Sequence, residues 1–384
     1  MPVKFSRRNF LVLLAALPLT GCTARQIRRG IATAGRQIVG DVVVPVLTYI
    51  PAKGVAVVDQ LVRRQVQAMV RKIVKHWNDD QVASERVYVK YTDQFKSRAI
   101  VDFDRGLIRV ETVREQNPRQ NLKKAIVATL LTPEDPRAVD LLSDRAVTIG
   151  GRPFLYRLVV DQDGEEISET RQAERYADYL LRTAHQREKV GRIIRHFVSF
   201  AMVREHRGNQ RLRFHNYVLV NARRFNQPVP LIFAIIEAES SFNPFAMSHV
   251  PAYGLMQIVP ASAGRDVHQL LYNRPGTPTR DYLFIPANNI QMGVAYLHIL
   301  NTRYLQGVTH PLSRQYCVIA GYNTGSGNVL AAFYRNNRTK ALKRINRLPP
   351  REVYSHLVRN LPFQETRDYL SKVVRLMNNY QNLA

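Results

Sequence analysis

A pair of carboxylates at the end of an apolar helix is the first place in the sequence where chemistry can be placed. Leu231-Ile232-Phe233-Ala234-Ile235-Ile236 is apolar on every side, which predicts a helix buried all round with Pro230 in its first turn. The run ends in Glu237-Ala238-Glu239-Ser240-Ser241-Phe242-Asn243-Pro244, and Pro244 bars continuation. A buried carboxylate is costly unless it is paired or protonated. No Lys or Arg lies between Arg224 and Arg265, so no cation close in sequence can hold it ionised. Desolvation then favours the protonated form, which a general acid needs at neutral pH. Glu237 and Glu239 are two positions apart and project about 200° from each other round a helix. They cannot share one site as a retaining glycosidase pair does, so one is the candidate acid and the other a rim or surface residue. Spacing does not choose between them.

Other chemistries find less support. The ten histidines, among them His249, His268, His298 and His310, show no ligand spacing around a thiolate or carboxylate pair, so no metal and no other cofactor is expected. The two cysteines are Cys22 and Cys317. Lys4, Arg7 and Arg8 precede a short apolar run from Phe10 to Leu19, and Leu19-Thr20-Gly21-Cys22 closes it: the layout of a signal peptide over residues 1–21. Those last four residues resemble a bacterial lipobox, which implies cleavage before Cys22 and lipid on its sulfur. Thr23 stands where lipoproteins of that class carry Asp for inner-membrane retention, so the resemblance points to the outer membrane, facing the periplasm. Ser6-Arg7-Arg8-Asn9-Phe10-Leu11 also resembles a twin-arginine signal, which leaves the export route open. With Cys22 acylated, Cys317 has no partner and is expected to pack as a small buried hydrophobe.

The elements that must position the site fall into two regions of a chain of 384 residues, long enough for two or three domains. With 45% hydrophobic and 22% charged residues the composition is globular, and no uncharged apolar run reaches the length of a membrane span. Fifty-six Lys and Arg against 30 Asp and Glu give +26, a field that draws the chain toward anionic polymers or membranes. Residues 22–54 read as a basic tether. Val58, Leu61, Val62, Val66, Met69, Val70, Ile73, Val74 and Trp77 recur at helical spacing, which suits a core stripe better than a membrane-lying face. Strands follow at Val87-Tyr88-Val89, Ala99-Ile100-Val101 and Leu107-Ile108-Arg109-Val110, with a turn at Asp104-Arg105-Gly106. Leu122 to Leu131 predicts a helix, Phe154 to Val160 a strand, and Arg171 to Met202 helix. Residues 55–203 are thus an α+β accessory domain. A polar, turn-forming boundary is expected from Arg204 to Arg211, and 211–384 reads as a purely helical catalytic domain.

Glu239-Ser240-Ser241-Phe242-Asn243-Pro244, Ser248 and Gly254-Leu255-Met256-Gln257 resemble the catalytic core of the soluble-lytic-transglycosylase-type family, whose fold is like goose-type lysozyme. Later pieces match in order. Leu283-Phe284 with Pro286, Asn289, Ile290, Gly293, Tyr296 and Leu297 is similar to the next helix of that family. Ala320-Gly321-Tyr322-Asn323-Thr324-Gly325 resembles its alanine-tyrosine-asparagine motif, and Glu365-Thr366-Arg367-Asp368-Tyr369 its terminal one. The likeness spans about Arg213 to Tyr380. Tyr88-Val89-Lys90-Tyr91-Thr92-Asp93-Gln94-Phe95 and Val139-Asp140-Leu141 resemble the extra domain of its membrane-bound C-type branch. Gly321 departs from the usual Ala, a change that would loosen local packing.

The resemblance implies cleavage of the β-1,4 bond between N-acetylmuramic acid and N-acetylglucosamine in peptidoglycan, with 1,6-anhydromuramic acid left behind instead of a hydrated end. Such a reaction needs one carboxylate where ordinary glycosidases need two. No acidic residue lies between Ser240 and Arg265, which agrees. By resemblance Glu239 is the acid/base and Glu237 a non-catalytic helix residue. Tyr369 would orient Glu239, and Tyr322 would shape the groove. Ser248 and Gln257 would bond substrate, Met256 wall the groove or simply pack, and Asn323 anchor its loop or touch sugar. Gly254 would admit a close backbone approach. The implied partners are glycan strands and a membrane held through Cys22; no nucleic acid is expected despite the basic charge. A hydrolytic muramidase and a non-catalytic peptidoglycan-binding lipoprotein are the alternatives.

Overall fold

A computed structural model describes residues 36–39, 42–45, 56–248 and 252–383. The signal peptide, Cys22, most of the tether and His249 lie outside these residues. Within the tether segment, β1 (Arg36–Val39) and β2 (Val42–Pro45) pair antiparallel. Among the described residues no helix is long and apolar enough to cross a membrane.

α1 (Ala56–Trp77) leads into the accessory domain, and its Met69, Ile73 and Trp77 are buried in that domain's core. The sheet is β3 (Val87–Thr92), β4 (Ser97–Asp102) and β5 (Leu107–Thr112), completed by β6 (Gln186–Val190) and β7 (Ile193–Ala201). Its order is β3-β4-β5-β7-β6, antiparallel throughout. Gly106, with φ +66°, makes the β4–β5 turn, where a Cβ would come within 2.8 Å of the His206 ring. α2 (Pro118–Leu130) and α3 (Thr170–Thr183) pack on each other, and α2 lies on the sheet. The three strands and the helix read from the first half of this domain are all present.

Two other expectations are corrected. Phe154 to Val160 is a series of turns with Arg157 at φ 61°, and its one ladder contact is an isolated bridge from Val160 to Glu166. Its Phe154, Leu155, Leu158 and Val159 are apolar because they fill the core, and a short apolar run looks the same whether it is a strand or a buried turn. The helix expected to reach Met202 stops at Thr183, and a β6–β7 hairpin follows around Gly191, φ +60°, and Arg192. Two features hid the alternation. β6 is a polar edge strand, and β7 buries Arg195, whose charge is met by Asp79 at 2.8 Å.

Of the expected turn-forming boundary, Arg204 and Glu205 are a turn and the rest is helix. Residues 206–210 open α4 (His206–Phe225). They are polar because they face the accessory domain: Asn209 donates to the Arg157 carbonyl, and Arg213 to those of Phe154 and Tyr156. Burial pushes the Arg213 guanidinium down to about 10. From here the described chain is helical: α5 (Val229–Ser240), α6 (Arg265–Tyr272), α7 (Arg280–Leu283), α8 (Pro286–Ile299), α9 (Pro311–Thr324), α10 (Ser326–Phe333), α11 (Arg338–Arg347), α12 (Pro350–Asn360) and α13 (Gln364–Asn378). α5 runs through the centre of this second core, packed on α4 and α13. Cys317 is fully buried there and its thiol is pushed up to about 12 by burial, the hydrophobe-like role expected of it.

Candidate active site

Every residue of α5 from Leu231 to Ser240 is buried, and Glu239 retains 4% exposure. The helix ends because Ser241 turns left-handed at φ 50° and Phe242 follows at φ 62°. Two successive non-glycine residues in that region cost roughly 1–3 kcal/mol each, so the surroundings must hold them there. The turn sends Asn243 to Ser248 back across the end of α5.

Glu237 faces elsewhere. Arg207 Nη1 donates to its Oε1 at 3.2 Å, and the Tyr380 hydroxyl donates to its Oε2. Burial first, then the charge of Glu237, raises the Tyr380 hydroxyl far above its ordinary value. The lack of cations near α5 in the sequence does not carry into space. Arg207 comes from α4, and Arg86 from the accessory domain donates to the Ala238 carbonyl at 2.7 Å.

The Gly254–Gln257 loop is held from three sides. Gly254 has φ +72°, and a Cβ there would lie 2.4 Å from Asn289 Nδ2 and 2.6 Å from the Leu283 carbonyl oxygen. Asn289 on α8 donates to the carbonyls of Tyr253 and Leu283 and accepts from the Met256 N–H, each at 2.8 Å. Gln257, itself left-handed at φ 49°, donates to the carbonyls of Ala246 and Gly254. Met256 has no exposed surface and packs its sulfur onto Gly293, where a Cβ would sit 2.2 Å from it. Of the two roles open to Met256, packing is the one its position displays.

Tyr322 on α9 donates to the Met256 carbonyl at 2.8 Å. Burial raises its hydroxyl well above the ordinary value, and the charge of Glu239 adds to this, so the two side chains share one electrostatic neighbourhood. Asn323 accepts from Thr366 Oγ1 at 2.7 Å, tying α9 to α13 one turn before Tyr369, which is buried. Gln257 Oε1 and Asn323 Nδ2 are buried and make no hydrogen bond among the described residues. Ser248 is buried and its N–H donates to the Ala252 carbonyl at 3.1 Å. The fold thus gathers Glu239, Gly254, Met256, Gln257 and Tyr322 through direct bonds or charge, and links Asn323 to the helix of Tyr369.

Residues 56–213 match the family model of the membrane-bound lytic murein transglycosylase C N-terminal domain, and residues 216–345 match that of the transglycosylase SLT domain. The membrane-bound lytic murein transglycosylase C of Sodalis glossinidius is 42% identical over 305 residues, covering 79% of this chain and 85% of that one. The protein of the same name from Klebsiella pneumoniae (strain ATCC 700721 / MGH 78578) is 42% identical over 306 residues, 79% of this chain and 84% of its own. The chain belongs to the membrane-bound lytic murein transglycosylase C family. It is a lytic transglycosylase with an α+β region followed by a helical, lysozyme-like domain. Among solved structures, an inactive mutant of the lytic transglycosylase Slt of Pseudomonas aeruginosa aligns at 26% identity and TM-score 0.34, over 44% of this chain and 24% of that one.

Sequence reasoning quoted Asn289 and Gly293 as motif pieces without giving either a task; they pin and floor the Met256 loop. It gave no role to Arg86 or Phe245 and read Asp104 only as a turn residue. Each acts across the domain junction, and nothing in its own neighbourhood marks it.

Proposed function

We propose that this transglycosylase cuts the β-1,4 bond between N-acetylmuramic acid and N-acetylglucosamine, with Glu239 as its single acid/base. The carboxyl group protonates the leaving glycosidic oxygen as the bond to the muramyl C1 breaks. The muramyl O6 hydroxyl then bonds to C1, and the Glu239 carboxylate takes the O6 proton, so a 1,6-anhydro ring forms without water. The observation that carries this reading is the separation of the two glutamates. Glu237 is committed to Arg207 and Tyr380, whereas Glu239 stands by Tyr322 at the strained end of α5. Tyr369 orients the carboxyl group, and Tyr322 holds the Met256 loop at the groove. Ser248, Gln257 and Asn323 serve the sugar, and Gln257 Oε1 and Asn323 Nδ2, which make no hydrogen bond among the described residues, suit its acetamido and hydroxyl groups. Gly254 lets the loop approach Asn289.

The substrate in this reading is peptidoglycan, and the chain is held through lipid on Cys22 at the outer membrane, facing the periplasm. Its positive charge attracts the carboxylates of the peptide stems, so binding to murein should weaken as salt rises. Mass spectrometry of murein digested by soluble protein lacking residues 1–22 tests the reaction. Anhydro ends, lighter by one water, are expected; hydrated ends would make the enzyme a muramidase. Glu239→Gln should abolish turnover while murein binding persists.

A further inference from the structure

The accessory domain brings no reacting group to this chemistry, yet it grips the segment that follows Glu239. Three consecutive residues ahead of β3 make the grip. The Ser84 carbonyl accepts from the Met247 N–H at 3.5 Å, the Glu85 carbonyl accepts from Asn243 Nδ2 at 3.1 Å, and Arg86 Nη2 donates to the Ala238 carbonyl at 2.7 Å. Ala238 is in the last turn of α5, where carbonyls lose their intrahelical partners once the chain turns away. The Ser241 N–H goes back to Glu237, so Arg86 caps the next carbonyl and sets a cation at the negative end of the helix.

Two further anchors stand beside it. Ser241 Oγ donates to Asp104 Oδ1 at 3.0 Å, and Arg207 reaches the Asp104 carbonyl at 2.7 Å. Burial works against ionising Asp104, but the Ser241 hydrogen bond and the charges of Arg86, Lys372 and Arg207 outweigh it and hold the carboxyl below its usual range. Phe245 belongs to the accessory core although it follows α5 in sequence. It is fully buried, edge-on to Tyr88 at 5.0 Å and to Phe154 at 5.1 Å. On the far side of the same segment, the Ala246 carbonyl accepts from the Gly254 N–H and from Gln257.

We propose that the accessory domain is a positioning part of the catalytic centre: Arg86 caps the helix that ends in Glu239, and Phe245 plugs the next loop into the accessory core. The proposal rests on the reading of Glu239 as acid/base. Ser241 and Phe242 are left-handed without being glycine, so the segment relaxes when its anchors go. The carboxyl group then loses its aim, while Gln257, also held by the Gly254 carbonyl, and Asn323 on α9, tied to α13, still serve the sugar. Arg86 and Phe245 therefore act on turnover more than on binding.

The test is steady-state turnover of murein by soluble protein, at a temperature where circular dichroism shows each variant folded. Arg86→Ala should lower kcat roughly 10–100-fold with KM nearly unchanged, since a displacement of about 1 Å in a reacting group costs that much. Arg86→Lys, which keeps a donor and a charge, should recover most of the loss. Leu180→Ala, a core truncation in α3, is the destabilised control and should keep its kcat. Wild-type kcat in folded Arg86→Ala, or an equal loss in Leu180→Ala, overturns the proposal. Should Arg86→Ala not fold, the isosteric Asp104→Asn is judged in its place, with a several-fold fall in kcat expected and none overturning the idea. Glu239→Gln separates the two readings. If it is active, the acid/base assignment fails; if it is inactive while the anchor variants turn over normally, only the positioning proposal fails.

Discussion

The two domains bury charge in opposite ways. In the accessory domain Arg98, Glu111 and Arg195 are all buried, and they meet one another or Asp79 in a connected set of ion pairs around Trp77. Lys90 is buried as well; its ammonium donates to the carbonyls of Asp140 and Ser143, and desolvation pushes it down to about 8. Among the described residues of the helical domain the buried charged side chains are Glu237 and Glu239, whereas Arg213 is partly buried at the junction with the accessory domain. A buried charge that keeps its partners is architecture. A buried carboxyl group placed where a helix must break, beside a tyrosine that feels its charge, is the candidate site. Glu237, held by Arg207 and Tyr380, belongs with the first kind, so the contrast rests on Glu239.

The contrast can be broken by experiment. Its largest consequence falls on Glu111→Ala, which strands Arg98 without its buried partner and should cost about 3–5 kcal/mol of accessory-domain stability. Urea unfolding read by Trp77, the single tryptophan of the chain, reports it directly. A loss below 1 kcal/mol would mean these ion pairs are not what holds the sheet.

A smaller effect is expected in acid. Burial raises the Asp79 carboxyl, but Arg98 and Arg195 overcome it, so the folded group titrates below its unfolded value, as Asp104 does. Such groups contribute stability above about pH 4, the unfolded value, and lose it as pH falls through the lower folded one. Thermal scans from pH 7 to pH 3 should show the accessory domain and its junction yielding before the helical core. The reverse order would contradict the contrast.

The smallest effect has the opposite sign. A Cβ at Gly321 would meet Leu300 and Leu305 at 3.4 and 3.5 Å, ordinary contact distances, and the residue lies inside α9. Gly321→Ala should raise stability by about 0.5–1 kcal/mol through helix propensity. A destabilised variant would show that the helical core has no room to accept even a methyl group. The departure from the family motif at this position is then a packing defect without a clash.

Local pattern carried the fold where burial and period agree. The strands β3 to β5 and the apolar run of α5 were readable because most apolar residues on those elements are also core residues, the exposed Leu107 on β5 being an exception. Legibility ended where a core position is charged, as at Arg195, or where an apolar run fills a core without regular structure, as at Phe154 to Val159. The site divides along the same line. Glu239, Gly254, Gln257, Tyr322 and Tyr369 lie in short linked motifs. Asn289 has two of its three partners on a loop more than thirty positions before it, and Arg86 and Phe245 have theirs in the other domain.

By itself, then, the sequence determined the order of the elements, the buried helix that ends in two carboxylates, and the family to which its motifs belong. These are properties of spacing along the chain, and hydrophobic burial acts on spacing directly. Which glutamate is committed to an ion pair, and which cations close round the end of α5, was decided only by tertiary structure. Hydrogen bonds and charge pairs act over a few ångströms, and residues from 30 to 152 positions apart come within that reach only once the chain has folded.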